Sequence, residues 1–164
     1  MTMLALIVFI GVGATATMDV WGWLRKKVLG GKAPDYGLVG RWIAHMPHGR
    51  FRHDSIAAAP KKRGERLIGW TAHYLIGIAF AGLLLALFGD EWVARPRLGP
   101  ALAVGIGTVA APFFLMQPGM GAGIAASKTP SPNAARLQSL LTHTVFGLGL
   151  YVAACAALLL FEKA

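Results

Sequence analysis

Four long apolar runs, separated by two short polar stretches and one long basic one, set the organisation of this chain. They cover approximately Met3–Leu24, Leu67–Phe88, Leu98–Gln117 and Leu137–Phe161. Each is close to the roughly 20 residues that a helix needs to cross a hydrocarbon core. Helices suit that setting because each satisfies its own backbone N–H and C=O groups. The pattern predicts an all-α fold, a polytopic transmembrane four-helix bundle forming one integral membrane domain over residues 1–164.

The only long hydrophilic segment is 25–66. Arg25, Lys26, Lys27, Lys32, Arg41, Arg50, Arg52, Lys61, Lys62, Arg63 and Arg66 there face only Asp35, Asp54 and Glu65. Basic loops stay on the cytoplasmic side, so this loop is expected inside and both termini outside, on the periplasmic face. The 89–97 connection balances Asp90 and Glu91 against Arg95 and Arg97 and belongs outside, whereas Lys128 puts the next connection inside. Within the basic loop, Asp35 can cap a short helix whose Val39, Trp42, Ile43 and Met46 share an apolar face. That helix is expected to lie on the membrane surface, with Arg41 and Trp42 joining Arg25, Lys26 and Lys27 toward anionic headgroups. His45, His48 and His53 cluster among arginines, a setting that favours solvated or headgroup-facing histidines over a metal site.

Composition agrees with the pattern. The 164 residues are 55% hydrophobic and 14% charged, with a mean hydropathy of +0.56, whereas soluble domains carry about a quarter charged residues. The net charge of +9 would suggest nucleic acid in a soluble protein; here it is the cytoplasmic flank, and no base-reading module is present. Cys155, the only cysteine, excludes an intramolecular disulfide and a metal-binding cysteine pair. The first run mimics a signal peptide up to Ala14-Thr-Ala16 but lacks a basic leading region, so it is expected to be a retained span.

Beyond Gln117, the uncharged tail Pro118-Gly-Met-Gly-Ala-Gly123 is too glycine-rich for a good helix. It is either re-entrant backbone buried by protein or a tight surface turn. Ser131-Pro132 then reads as a helix start. Val104-Gly-Ile-Gly-Thr-Val-Ala110 echoes Ile10-Gly-Val-Gly-Ala-Thr-Ala16, and His143-Thr-Val-Phe-Gly147 echoes His73-Tyr-Leu-Ile-Gly77. Two hairpins in the same order suggest a parallel two-plus-two repeat.

Asp19 is the one charge inside the first run, and such a group asks for a partner or a purpose. It lies about 8 Å from the cytoplasmic end of its span, at 1.5 Å per residue. His73 and His143 lie at similar depth in the second and fourth spans, and Met116, Gln117 and Met120 close the third at the same end. Three readings are open. Asp19 accepts hydrogen bonds from a histidine and fixes helix packing; or it forms with the histidines a proton, small-ligand or divalent-metal site; or His73 and His143 ligate haem, with Arg66 or Arg136 near the propionates. No hydrolase or transferase constellation is visible, and the Gly119-x-Gly-x-Gly123…Ser127-Lys128-Thr129 string has the wrong spacing for a phosphate loop. The residues point to a transport or ligand-binding component, with a haem-binding redox subunit or a structural accessory protein as alternatives. Small-residue faces allow a homo-oligomer or a larger membrane complex.

Several strings are more specific than this periodicity. They are Gly13-Ala-Thr-Ala-Thr-Met-Asp-Val-Trp21, Tyr36-Gly-Leu-Val-Gly-Arg-Trp42, His45-Met-Pro-His-Gly-Arg-Phe-Arg-His-Asp54, Ala111-Pro-Phe-Phe-Leu-Met-Gln-Pro-Gly-Met-Gly-Ala-Gly-Ile124 and Leu141-Thr-His-Thr-Val-Phe-Gly147. Together they resemble the small bacterial membrane proteins of domain of unknown function 2938. The resemblance implies a multi-pass protein of the bacterial inner membrane, and it brings no catalytic or binding residues with it.

Overall fold

Helix dominates the chain, and no strand occurs among the described residues. The computed structural model describes residues 2–30 and 34–161; Lys32 and the expected exit of the fourth span at Glu162-Lys163 lie outside them. Four helices are long and apolar enough to cross a membrane: Met3–Val28, Glu65–Ala94, Leu98–Gly119 and Pro132–Phe161.

Helix α1 (Met3–Leu29) starts at Thr2, whose hydroxyl accepts from the Ala5 N–H, and stops at Gly30 in the left-handed conformation (φ 64°). It runs past Leu24 through the basic cluster, because Lys26 and Lys27 in its last turn complement the negative end of the helix dipole. Helix α2 (Tyr36–His45) is capped by Asp35, whose Oδ1 accepts from the Gly37 N–H at 2.9 Å. Helix α3 (Glu65–Ala94) breaks its regular geometry at Gly89 (φ 68°, ψ −175°) before a last turn that buries Trp92, whose indole donates to the Arg97 carbonyl at 3.0 Å.

The third apolar segment is not one regular helix. Helix α4 (Leu98–Gly107) is separated by four residues from a wide π-helical turn at Pro112–Met116, which leads into α5 (Gln117–Gly119). Pro112 has no N–H to give and its ring crowds the carbonyl four residues back, which accounts for the wide turn. The Gln117 N–H accordingly reaches the Pro112 carbonyl, five residues back. Helix α6 (Pro132–Phe161) is regular throughout.

The chain divides into two compact units. The first comprises Met1–Ala33, Tyr74–Thr108 and Leu141–Ala164. Its core is built from Ile10, Ala14, Ala81, Leu84, Trp92, Ala101, Phe146 and Leu150. Helix backbones approach closely there. A Cβ added to Gly11 would lie 2.5 Å from the Ile78 Cα, and one added to Gly105 would collide with the Gly147 Cα. These are equivalent positions of the two echoed hairpins, so α1 meets α3 and α4 meets α6 through the same glycine-centred crossing. A threonine hydroxyl caps each crossing: Thr15 donates to the Gly11 carbonyl at 2.7 Å, and Thr108 to the Gly105 carbonyl at 2.6 Å. Such approach replaces the hydrophobic drive that lipid cannot supply between helices.

The second unit comprises Pro34–His73 and Val109–Leu140. In it, α2 lies against the first turns of α3, where a Cβ on Gly40 would collide with the Glu65 carbonyl.

Overpacking a crossing of this kind costs about 1–3 kcal/mol. Gly11→Ala and Gly105→Ala are therefore expected to lower the unfolding temperature of the detergent-solubilised protein. Gly82→Ala, whose new methyl would meet only the Ile7 side chain at 3.7 Å, is expected to leave it unchanged; thermal unfolding of the three variants checks the contrast.

Candidate functional site

The polar side chains within the apolar helices are engaged locally. In the first unit, the Tyr74 hydroxyl donates to Asp19 Oδ2 at 3.0 Å. His143 Nδ1 lies 3.0 Å from the Thr108 hydroxyl and 3.3 Å from the Gly105 carbonyl. A carbonyl only accepts, so Nδ1 carries the proton and Nε2 the lone pair. In the second unit, His73 stacks on Tyr36 with ring centroids 4.0 Å apart and meets Trp70 edge-on at 5.9 Å. Gln117 Nε2 reaches the Ser139 hydroxyl at 3.4 Å, while its buried Oε1 has no hydrogen-bond partner among the described residues. The Met116 carbonyl accepts from the Met120 N–H at 2.9 Å, one helical turn on.

Asp19 and His143 thus belong to one unit, and His73, Met116, Gln117 and Met120 to the other. Among the described residues, no three His, Cys, Asp or Glu side chains group as a metal ion requires.

Two surface expectations need correction. Arg41 is buried, not directed to headgroups. Its Nε and Nη2 bind Glu65 Oε2 and Oε1, both at 2.8 Å, and its Nη1 reaches the carbonyls of Ile56, Ala57 and Ala59 at 3.1–3.3 Å. Donating to the Glu65 carboxylate raises the Arg41 pKa above its ordinary value, against the opposing effect of burial. Trp42, half-buried beside it, donates its indole N–H to the Phe51 carbonyl at 2.9 Å. Both residues pin the 49–64 loop, Arg41 from a buried position and Trp42 from a half-buried one. Of the basic end of α1, Lys26 and Lys27 are exposed, Arg25 is half-buried, and the Lys27 ammonium lies 4.6 Å over the Trp23 ring.

The 118–131 connection then joins the pinned loop. The His53 N–H donates to the Gly119 carbonyl and the Ile56 N–H to the Met120 carbonyl, both at 3.0 Å. Gly121 sits so close to the Asp54 carbonyl that a Cβ would collide with it. This glycine-rich tail is therefore held along another loop by backbone hydrogen bonds. Between the two loops opens a cleft of about 730 Å³, and Arg50, Arg52, His53, Asp54, Ser127 and Lys128 contribute to its walls. Among the described residues, Arg50, Arg52 and Lys128 make no ion pair and no side-chain hydrogen bond. Three unneutralised cations and one carboxylate give the cleft a positive balance. Sequence reasoning had each part but not their meeting, since the contacts joining 50–56 to 119–121 are long-range.

The chain belongs to the family described as Protein of unknown function (DUF2938), whose model matches residues 8–157. No curated protein and no solved structure matches it.

Removing one partner of an enclosed ion pair strands the other. Arg41→Ala leaves Glu65 and three carbonyls without their donor, whereas Glu65→Gln keeps the carbonyl contacts. Arg41→Ala is expected to lower the unfolding temperature by about 5 °C or more, with Glu65→Gln affected less. Trypsin cleavage at Lys61-Lys62-Arg63 is expected to quicken in the same order, as a cleavage time course will show.

Proposed function

We propose that this protein is a ligand-binding component of the bacterial inner membrane, with both termini on the periplasmic side and an anion-binding cleft at its cytoplasmic face. The observation that carries this reading is the cluster of Arg50, Arg52 and Lys128 around one cleft without neutralising partners. Like charges repel when gathered, so an arrangement that gathers them is most stable with an anion between them. Both cleft-forming loops are those that the positive-inside rule assigns to the cytoplasm.

Binding is favoured over catalysis or proton transport by the way the remaining polar groups are used. Asp19 is held by Tyr74, and His143 by Thr108 and Gly105, in contacts that join neighbouring helices. Pairs of this kind fix helix packing and add order of about 0.6 kcal/mol each in a bilayer. The structural reading of the Asp19–His73–His143 layer is thus the better supported one, and the ligand site moves to the loops.

In neutral detergent and a low-salt chloride buffer, millimolar polyvalent anions (sulfate, phosphate and citrate) are expected to raise the unfolding temperature by about 3 °C or more. The triple variant Arg50→Gln/Arg52→Gln/Lys128→Gln, whose three side chains are exposed, is expected to fold as the parent and to lose the response. A wild-type protein indifferent to all three anions would rule the reading out.

A further inference from the structure

The cleft has features that a general anion trap does not need. Four residues of its 118–131 wall take positive φ: Gly121 (94°), Gly123 (76°), Ala125 (46°) and Ala126 (58°). For the two alanines this conformation costs about 1–2 kcal/mol each. It persists because the loop is clamped: Arg136 Nε donates to the Ala125 carbonyl at 2.9 Å, and the Thr129 hydroxyl to the Ala126 carbonyl at 2.8 Å. Ser127 and Lys128 follow directly, giving a hydroxyl donor and a point charge. Arg50 and Arg52 line the same cleft, and guanidinium forks match the oxygen spacing of phosphate.

Size and surroundings add to this. A volume of about 730 Å³ is far more than a bare phosphate ion fills and leaves room for a larger organic body. Apolar surface is available for that body: Ile124 lines the cleft and is 57% exposed. Asp54, the lone carboxylate, offers an acceptor to hydroxyl or amino groups on the organic part.

Resting on the anion reading above, we infer that the ligand is a phosphate ester, its phosphate held by Arg50, Arg52, Ser127 and Lys128 and its organic body lying against Ile124. The ester is either a phospholipid headgroup drawn from the surrounding bilayer or a soluble phosphomonoester.

The test uses the full chain in neutral detergent and in nanodiscs. Glycerol 3-phosphate, sulfate and citrate are titrated in detergent; phosphatidic acid is titrated in phosphatidylcholine nanodiscs, with and without competing glycerol 3-phosphate. Binding of either phosphate ester about tenfold or more tighter than sulfate and citrate is expected. Arg50→Gln/Arg52→Gln is expected to weaken it by about tenfold or more, and Ser127→Ala by less, with unfolding temperatures unchanged in ligand-free buffer. Phosphatidic acid binding that glycerol 3-phosphate fails to displace identifies the lipid source; tight binding of glycerol 3-phosphate identifies the soluble one. Equal affinity for esters, sulfate and citrate overturns the phosphate inference and leaves the anion cleft standing. Binding of none of these probes overturns both.

Discussion

The Arg41 guanidinium is the constraint on which the second unit depends. A buried cation with five N–H groups must place every donor, and here Glu65 takes one edge of the fork while the carbonyls of Ile56, Ala57 and Ala59 share another nitrogen. Those partners come from the first turn of α3 and from an otherwise irregular loop. One side chain therefore fixes a segment that has no helix of its own to hold it. Glu65 Oε2 also accepts from the Lys62 N–H at 2.9 Å, which closes the approach into α3. His45, buried one turn after Arg41, meets the Pro60 carbonyl at 3.1 Å and extends the same attachment. With the loop held at these points, its 50–56 stretch presents regular backbone donors, and the 119–121 stretch pairs with them. The cleft is a consequence of that pairing.

The first unit is ordered by a different physics. Lipid competes with side chains as an apolar solvent, so helix contact there relies on close backbone approach and on polar pairs. Gly11 against Ile78 and Gly105 against Gly147 supply the approach. Tyr74 with Asp19, and His143 with Thr108, supply the pairs. The recurrence of the glycine crossing in both hairpins gives the echoed strings a structural meaning that abundance of glycine alone would not. Their threonines differ in detail, Thr15 bonding four residues back and Thr108 three.

What the sequence made legible follows from range. Apolar runs of helical length identify themselves, because the bilayer constrains every residue of a span alike, and the Asp35 cap is a local signal two residues long. The break in the third segment was partly legible in Pro112, whose missing N–H acts within one turn. Arg41 was not. On the helix surface it reads as a headgroup-facing cation, and only the carbonyls of 56–59, brought from another segment, explain its burial. The partners of Asp19 and His143 were illegible for a related reason. Depth sets one coordinate along a helix and leaves its rotation free, and a tyrosine or threonine next to a polar group satisfies it as well as a distant histidine does.

Strain sharpens the distinction between the loops and the helices. Ala125 and Ala126 adopt left-handed backbone without the excuse of glycine, and Arg136 and Thr129 hold them there. A loop under no functional demand relaxes such residues or replaces them with glycine, since the cost is borne at every refolding. Arg136 meanwhile spends its charge on a carbonyl and on the Asn133 side chain, 3.0 Å away, whereas Arg50, Arg52 and Lys128 line the cleft with no ion pair among the described residues. Backbone held in an uncommon conformation thus shares a unit with unneutralised arginines. In the helices of the first unit, where polar groups pair with each other, that combination does not occur among the described residues.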